Sequence, residues 1–119
     1  MYLLVDFENV RSGGLRGVDY LEEGDYLTIF FSDAACKCEN RYLEEIERSG
    51  CDFDTCKLQR VGKNGLDFYI ATRVGEFYGT GHKDRIAIIS KDKGYKAVRD
   101  YWDAWLPANH RIIISPSVE

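Results

Sequence analysis

Three short stretches of the chain set carboxylates against apolar runs: Leu3-Leu4-Val5-Asp6-Phe7-Glu8-Asn9, Gly65-Leu66-Asp67 and Ser90-Lys91-Asp92-Lys93-Gly94. Each acid has an ordinary structural use. Asp6 and Asn9 can cap a following turn or helix, Asp67 suits the first turn of a helix, and Asp92 can cap a strand-to-helix turn in which Gly94 supplies unusual dihedrals. Brought to one place, however, the three carboxylates repel one another and raise their own pKa values unless a cation stands between them. Hard oxygen donors with room for water suit Mg²⁺ or Mn²⁺, whereas His and Cys ligands favour zinc. Such a cation acidifies water and neutralises charge developing on a phosphoryl oxygen, which is phosphodiester hydrolysis without a Ser or Cys nucleophile. The expected roles are Asp6, Asp67 and Asp92 as metal ligands, direct or through water, Glu8 as a group that orients water, and Asn9 as a holder of Asp6 or of phosphate.

The elements that would position these acids are legible as alternating patterns. Residues 2–5, 27–31 and 86–89 are continuous apolar runs, the mark of parallel strands buried on both faces. Residues 53–58 are more polar, as befits an edge strand, and 111–114 supply a fifth. Between them, 38–49 carry Tyr42, Leu43 and Ile46 on one helical face and stop at Gly50. Residues 66–78 repeat Leu66, Ile70, Val74 and Phe77 at helical steps, and 95–105 place Val98, Trp102 and Trp105 in register with Pro107 just beyond. Strands alternating with helices define an α/β fold of doubly wound type, a mainly parallel sheet with helices on both faces. Ligands of such sheets bind outside the carboxyl ends of the strands. Asp6 follows the first strand, Asp92 follows the fourth, and Asp67 opens the helix leading to the fourth, so all three are expected at that edge.

Composition bounds the partners. A chain of 119 residues with 45% apolar and 30% charged residues is the size and balance of one packed domain, expected over 1–119. No apolar stretch approaches the roughly 20 residues needed to span a bilayer, and no signal peptide precedes the first strand, so a cytoplasmic protein with no membrane association is expected. A net charge of -4 is not that of a strong nonspecific nucleic-acid binder, although a bound cation reverses the sign of an acidic site. The cysteines at 36, 38, 51 and 56 read as free thiols: a one-residue gap at a helix start points Cys36 and Cys38 about 200° apart, unlike a zinc knuckle.

The segments Val5-Asp6-Phe7-Glu8-Asn9, Gly65-Leu66-Asp67-Phe68-Tyr69-Ile70-Ala71 and Ser90-Lys91-Asp92-Lys93-Gly94-Tyr95, in that order, resemble the PIN-like nucleases, especially the NYN-type bacterial branch. The resemblance runs over nearly the whole chain. It implies a Rossmann-like PIN-type three-layer sandwich with a five-stranded sheet in the order 3-2-1-4-5, and a Mg²⁺- or Mn²⁺-dependent ribonuclease acting on single-stranded RNA. It puts Asp6, Asp67 and Asp92 at the positions of the acidic ligands and matches Asn9 to the Asn that follows the first of them. A further Glu from the second helix is expected in many such proteins, and Glu44 or Glu45 would serve.

Arg11, Arg16, Arg60, Lys63, Lys91 and Lys93 fall in loops expected to border the acids. The expected substrate contacts are Arg11, Lys63, Asn64, Ser90, Lys91 and Lys93. Tyr69, Tyr78 and Tyr95 are divided between core packing and stacking on unpaired bases. Trp102 and Trp105 belong to the core or to a subunit contact. RNA is the expected partner, with a homo-oligomer and an inhibitory protein as further associations. The alternative is a catalytically silent module of the same fold that binds RNA or protein. A phosphatase of the HAD type is disfavoured by Glu8 where a second Asp is needed, and a receiver domain by the lack of an Asp at Lys57-Leu58.

Overall fold

The computed structural model describes residues 1–32, 40–58 and 65–118. Its sheet is built from β1 (Tyr2–Asp6), β2 (Tyr26–Phe31), β3 (Asp52–Lys57), β4 (Ile86–Ile89) and β5 (Ile113–Ser115), all parallel, in the order β3-β2-β1-β4-β5. The helices are α1 (Phe7–Val10), α2 (Asn40–Ser49), α3 (Gly65–Gly79) and α4 (Tyr95–Asp103). This is the PIN-type α/β fold and strand order expected above. Among the described residues no helix is long and apolar enough to cross a membrane.

Period-two alternation within the strands splits the interior in two. Leu3 and Val5 of β1, with Leu27, Ile29, Ala87 and Ile89, face one side, where Phe7, Val10, Leu15, Tyr42 and Ile46 cover them. Tyr2 and Leu4, with Phe30, Ile86 and Ile88, face the other side, under Leu66, Ile70 and Val74 of α3 and Tyr95 of α4. β1 and β4 are buried along their whole length because both faces are covered, whereas β3 at the edge is mostly exposed or half-buried. That difference is why the first and fourth strands read as continuous apolar runs and the third does not.

The element bounds differ from expectation in instructive places. Asp6 is the last residue of β1 and also the cap of α1, so its backbone is held by the sheet while its side chain faces the turn. Gly50 ends α2 with φ at +79°, the left-handed conformation that glycine adopts without penalty. Gly94, in contrast, has ordinary helical dihedrals, and unusual backbone geometry is not its use. A Cβ there would come within 3.2 Å of Asp92 Oδ1, so the missing side chain serves the closeness of that carboxylate. β5 begins at Ile113 and not at Arg111, whose carbonyl accepts from Arg85 Nε at 2.9 Å. Trp102 packs against the second core at 5.0 Å from the Tyr78 ring, whereas Trp105 is 72% exposed.

Candidate metal centre

At the carboxyl edge of β1 and β4 a cavity of about 280 Å³ is lined by Asp6, Glu8, Asn9, Gly65, Leu66, Asp67 and Asp92. All five residues expected to do chemistry are therefore brought together. β1 presents Asp6, α1 presents Glu8 and Asn9, the first turn of α3 presents Asp67, and the turn between β4 and α4 presents Asp92.

Asp6 is 3% exposed and is held from three directions. Its Oδ1 accepts from the Asn9 backbone N–H at 3.3 Å, and its Oδ2 accepts from Ser90 Oγ at 3.2 Å and from the Tyr95 hydroxyl at 3.1 Å. The same Tyr95 hydroxyl donates to Asp67 Oδ1 at 3.0 Å. One phenolic proton cannot satisfy two carboxylates at once, so Asp6 and Asp67 share a single donor. Burial pushes the Asp6 carboxyl above its ordinary value, outweighing its three hydrogen bonds, and the Glu8 charge adds to the rise. Burial also raises the Asp67 carboxyl, with the Asp92 and Asp6 charges acting in the same direction against the Tyr95 hydrogen bond. Tyr95 is driven upward too, first by burial and then by the two carboxylates it joins.

The turn that carries Asp92 is fixed to the turn that carries Asn9. The Lys91 N–H donates to Asn9 Oδ1 at 2.7 Å, the Asp92 N–H donates to Ser90 Oγ at 3.0 Å, and the Gly94 N–H donates to Asp92 Oδ1 at 2.8 Å. Asn9 is thus a clamp between α1 and the β4–α4 turn. Ser90, expected among substrate contacts, is 2% exposed and its hydroxyl is committed to Asp6; its place at the buried end of β4 removes it from solvent.

The fourth acid of the cavity is Glu8, held by Ser32 Oγ to Oε2 at 3.0 Å. Neither helix candidate is there: Glu44 is exposed, and Glu45 lines a different cavity with Arg16, Asp19, Tyr20, Arg41 and Tyr42. The helical phase of α2, which buries Tyr42 and Ile46, turns both acids elsewhere, and Arg16 goes with that second cavity. Arg11, Lys91 and Lys93 are exposed. Arg60, Lys63, Asn64, Cys36 and Cys38 lie outside the described residues, while Cys51 and Cys56 are free thiols.

Two contributors were not named from the sequence in the roles they hold. The Tyr95 hydroxyl joins Asp6 to Asp67, where stacking or packing was expected, and Ser32 at the end of β2 holds Glu8. A polar residue directly after an apolar strand, as at Ser32 and Ser90, is the one signal that could have marked such supports.

The donor set fits a hard divalent cation. Its candidates are carboxylate oxygens from separate elements, at the edge where this fold binds ligands, with two acids pushed upward by burial and by one another's charge. Among the described residues no three His, Cys, Asp or Glu side chains already converge as a closed ligand set. The carboxylates line an open cavity.

The PIN domain family model matches residues 1–106, and the chain belongs to that family. PIN domains are generally metal-dependent nucleases. No curated protein and no solved structure gave a match.

Proposed function

We propose that this protein is a metal-dependent endoribonuclease that cleaves single-stranded RNA, of the NYN-type bacterial branch that its three motifs resemble. The observation that carries the reading is the convergence of Asp6, Glu8, Asp67 and Asp92 on one cavity of a PIN domain, with Asp67 raised by burial and by the charges of Asp92 and Asp6. Asp6, Asp67 and Asp92 are the residues that would hold Mg²⁺ or Mn²⁺, which when bound acidifies water and offsets charge on a phosphoryl oxygen.

The chain's own groups supply the rest. Tyr95 and Ser90 fix the orientation of Asp6, and Asn9 fixes the distance between the two turns, so the carboxylates are positioned before substrate arrives. Glu8, with one oxygen held by Ser32, is assigned to orient the attacking water and receive its proton through the other. Arg11, Lys91 and Lys93 are exposed beside these turns and take phosphates, with Lys63 and Asn64 assigned to the same task from sequence.

Cleavage of a 5′-labelled single-stranded RNA with Mn²⁺, Mg²⁺ or EDTA, beside Asp92→Asn of verified fold, tests the proposal. Cutting that requires metal and is lost in the variant supports it. RNA binding without turnover in any metal replaces it with the silent binding module.

A further inference from the structure

The outward face of α3 breaks the pattern of the rest of that helix. Leu66, Ile70, Val74 and Phe77 form its inward stripe, and Phe68 lies about 200° around the axis from Leu66, on the far side. Phe68 is 68% exposed. One turn further on, Thr72 bends its hydroxyl back to the Phe68 carbonyl at 2.7 Å. The next outward positions are Gly75 and Gly79, around whose backbones nothing approaches a Cβ within 4 Å. The ring therefore stands clear, with a short side chain and two glycines following it.

A single exposed ring is ordinary on a protein surface. What distinguishes this one is its position, in the same helical turn as Gly65, Leu66 and Asp67, which line the carboxylate cavity. The tyrosines weighed for stacking are occupied otherwise. Tyr95 is buried under Asp6 and Asp67, Tyr78 packs edge-on to Phe77 and against Trp102, and Tyr69 leans on the second core.

We infer that Phe68 is a stacking platform for an unpaired base of the RNA strand whose phosphate enters the carboxylate cavity, and that it sets the preference for single strands. The inference rests on the nuclease reading for its substrate class and adds the residue that selects it. An unpaired base offers a free π-face to a ring, while a base within a duplex has both faces covered by its neighbours. Stacking acts on binding and leaves the chemical step alone, so the loss belongs in KM.

The test is anisotropy of a fluorescein-labelled single-stranded RNA and of a hairpin duplex, with Mg²⁺, in full-length Asp92→Asn protein carrying Phe68→Ala, Phe68→Leu or Phe68→Trp. The expected result is a loss of roughly 5- to 100-fold in single-strand affinity for Phe68→Ala and Phe68→Leu, none for Phe68→Trp, and a duplex affinity unchanged in all three. With Asp92 restored, Phe68→Ala raises KM and leaves kcat unchanged. Unchanged single-strand affinity in Phe68→Ala, recovery by Leu equal to that by Trp, or a parent that binds no single strand overturns the inference. A parent that binds as described, in a protein that never cuts with metal, overturns the nuclease reading and leaves the platform standing.

Discussion

Two polar networks cross this sheet, and they are built from similar parts with opposite balance. In the first, Arg73 Nη1 donates to the Tyr2 hydroxyl at 2.9 Å, and Tyr2 is 3.1 Å from Thr28 Oγ1. Thr28 Oγ1 and the Tyr26 hydroxyl then each donate to one oxygen of Asp54, at 2.6 and 2.8 Å. In the second, the Tyr95 hydroxyl lies between Asp6 and Asp67, Ser90 supports Asp6, and Asp92 adds a further charge. The first network has one acid in its hydrogen-bonded chain, a separate donor for each of that acid's oxygens, and at its far end an arginine that also faces Glu76 at 3.7 Å. In the second, two acids share one phenol, and among the described residues the groups that most strongly shift Asp6 and Asp67 include no cation. A fold that can close a polar network with its own arginine leaves one open where the strands end. Under the proposed function, that open network is what the site offers to a metal and a phosphate.

Asp54 and Asp67 are expected to respond to neutralisation in opposite directions. Asp67→Asn or Asp92→Asn is expected to lower metal-dependent cleavage at least about 100-fold, beyond what loss of a supporting partner costs. In EDTA, Asp67→Asn is expected to raise unfolding free energy by about 0.5–1 kcal/mol, since it removes a repelled carboxylate. Asp54→Ala is expected to do the reverse: it strands the Thr28 and Tyr26 hydroxyls, costing about 1–3 kcal/mol in chemical denaturation, while the folded fraction cuts within about twofold of wild type.

Tyr95→Phe removes the shared proton without removing an acid. Cleavage should fall about 10- to 100-fold, with metal affinity weakened in the same range by isothermal titration, because Asp6 and Asp67 lose their common orienting partner. The helical content by circular dichroism should not change.

The smallest effect is in pH, where the two networks answer at opposite ends of the scale. The Asp6 and Asp67 carboxyls are raised above 3.8, so the folded chain keeps protons there that the unfolded chain has released. Stability in EDTA should therefore fall as pH rises from that value through the raised ones, and this limb should flatten in Asp67→Asn. The Tyr26 phenol is pushed up to about 12, by burial first and by Asp54 next. Its contribution is complete below about 10 and should be lost as pH rises through about 12, a limb absent in Tyr26→Phe. Urea midpoints across pH read both.

How much was legible in the sequence divides along the same line. Asp6, Asp67 and Asp92 could be placed at one edge because a strand end and a helix first turn are local patterns, and parallel topology sends them to the same side. The order of the strands came from family resemblance, since periodicity identifies strands without saying which neighbours which. The supports were hidden for a physical reason. Tyr95 reaches Asp6 across 89 positions of sequence, and Arg73 reaches Tyr2 across 71, through ring and guanidinium orientations that only packing decides. Glu44 and Glu45 failed because one helical residue turns a side chain by about 100°, so a pattern that identifies the helix leaves the direction of its acids open.

The most direct test of a metal site at Asp67 is the melting temperature of wild type, Asp54→Asn and Asp67→Asn during titration with MnCl2, with EDTA as the reversal. Mn²⁺ is expected to raise the melting temperature of wild type and Asp54→Asn, as a ligand bound only to the folded state must, and to leave Asp67→Asn close to its metal-free value. No shift in wild type, or an equal shift in all three, would contradict it.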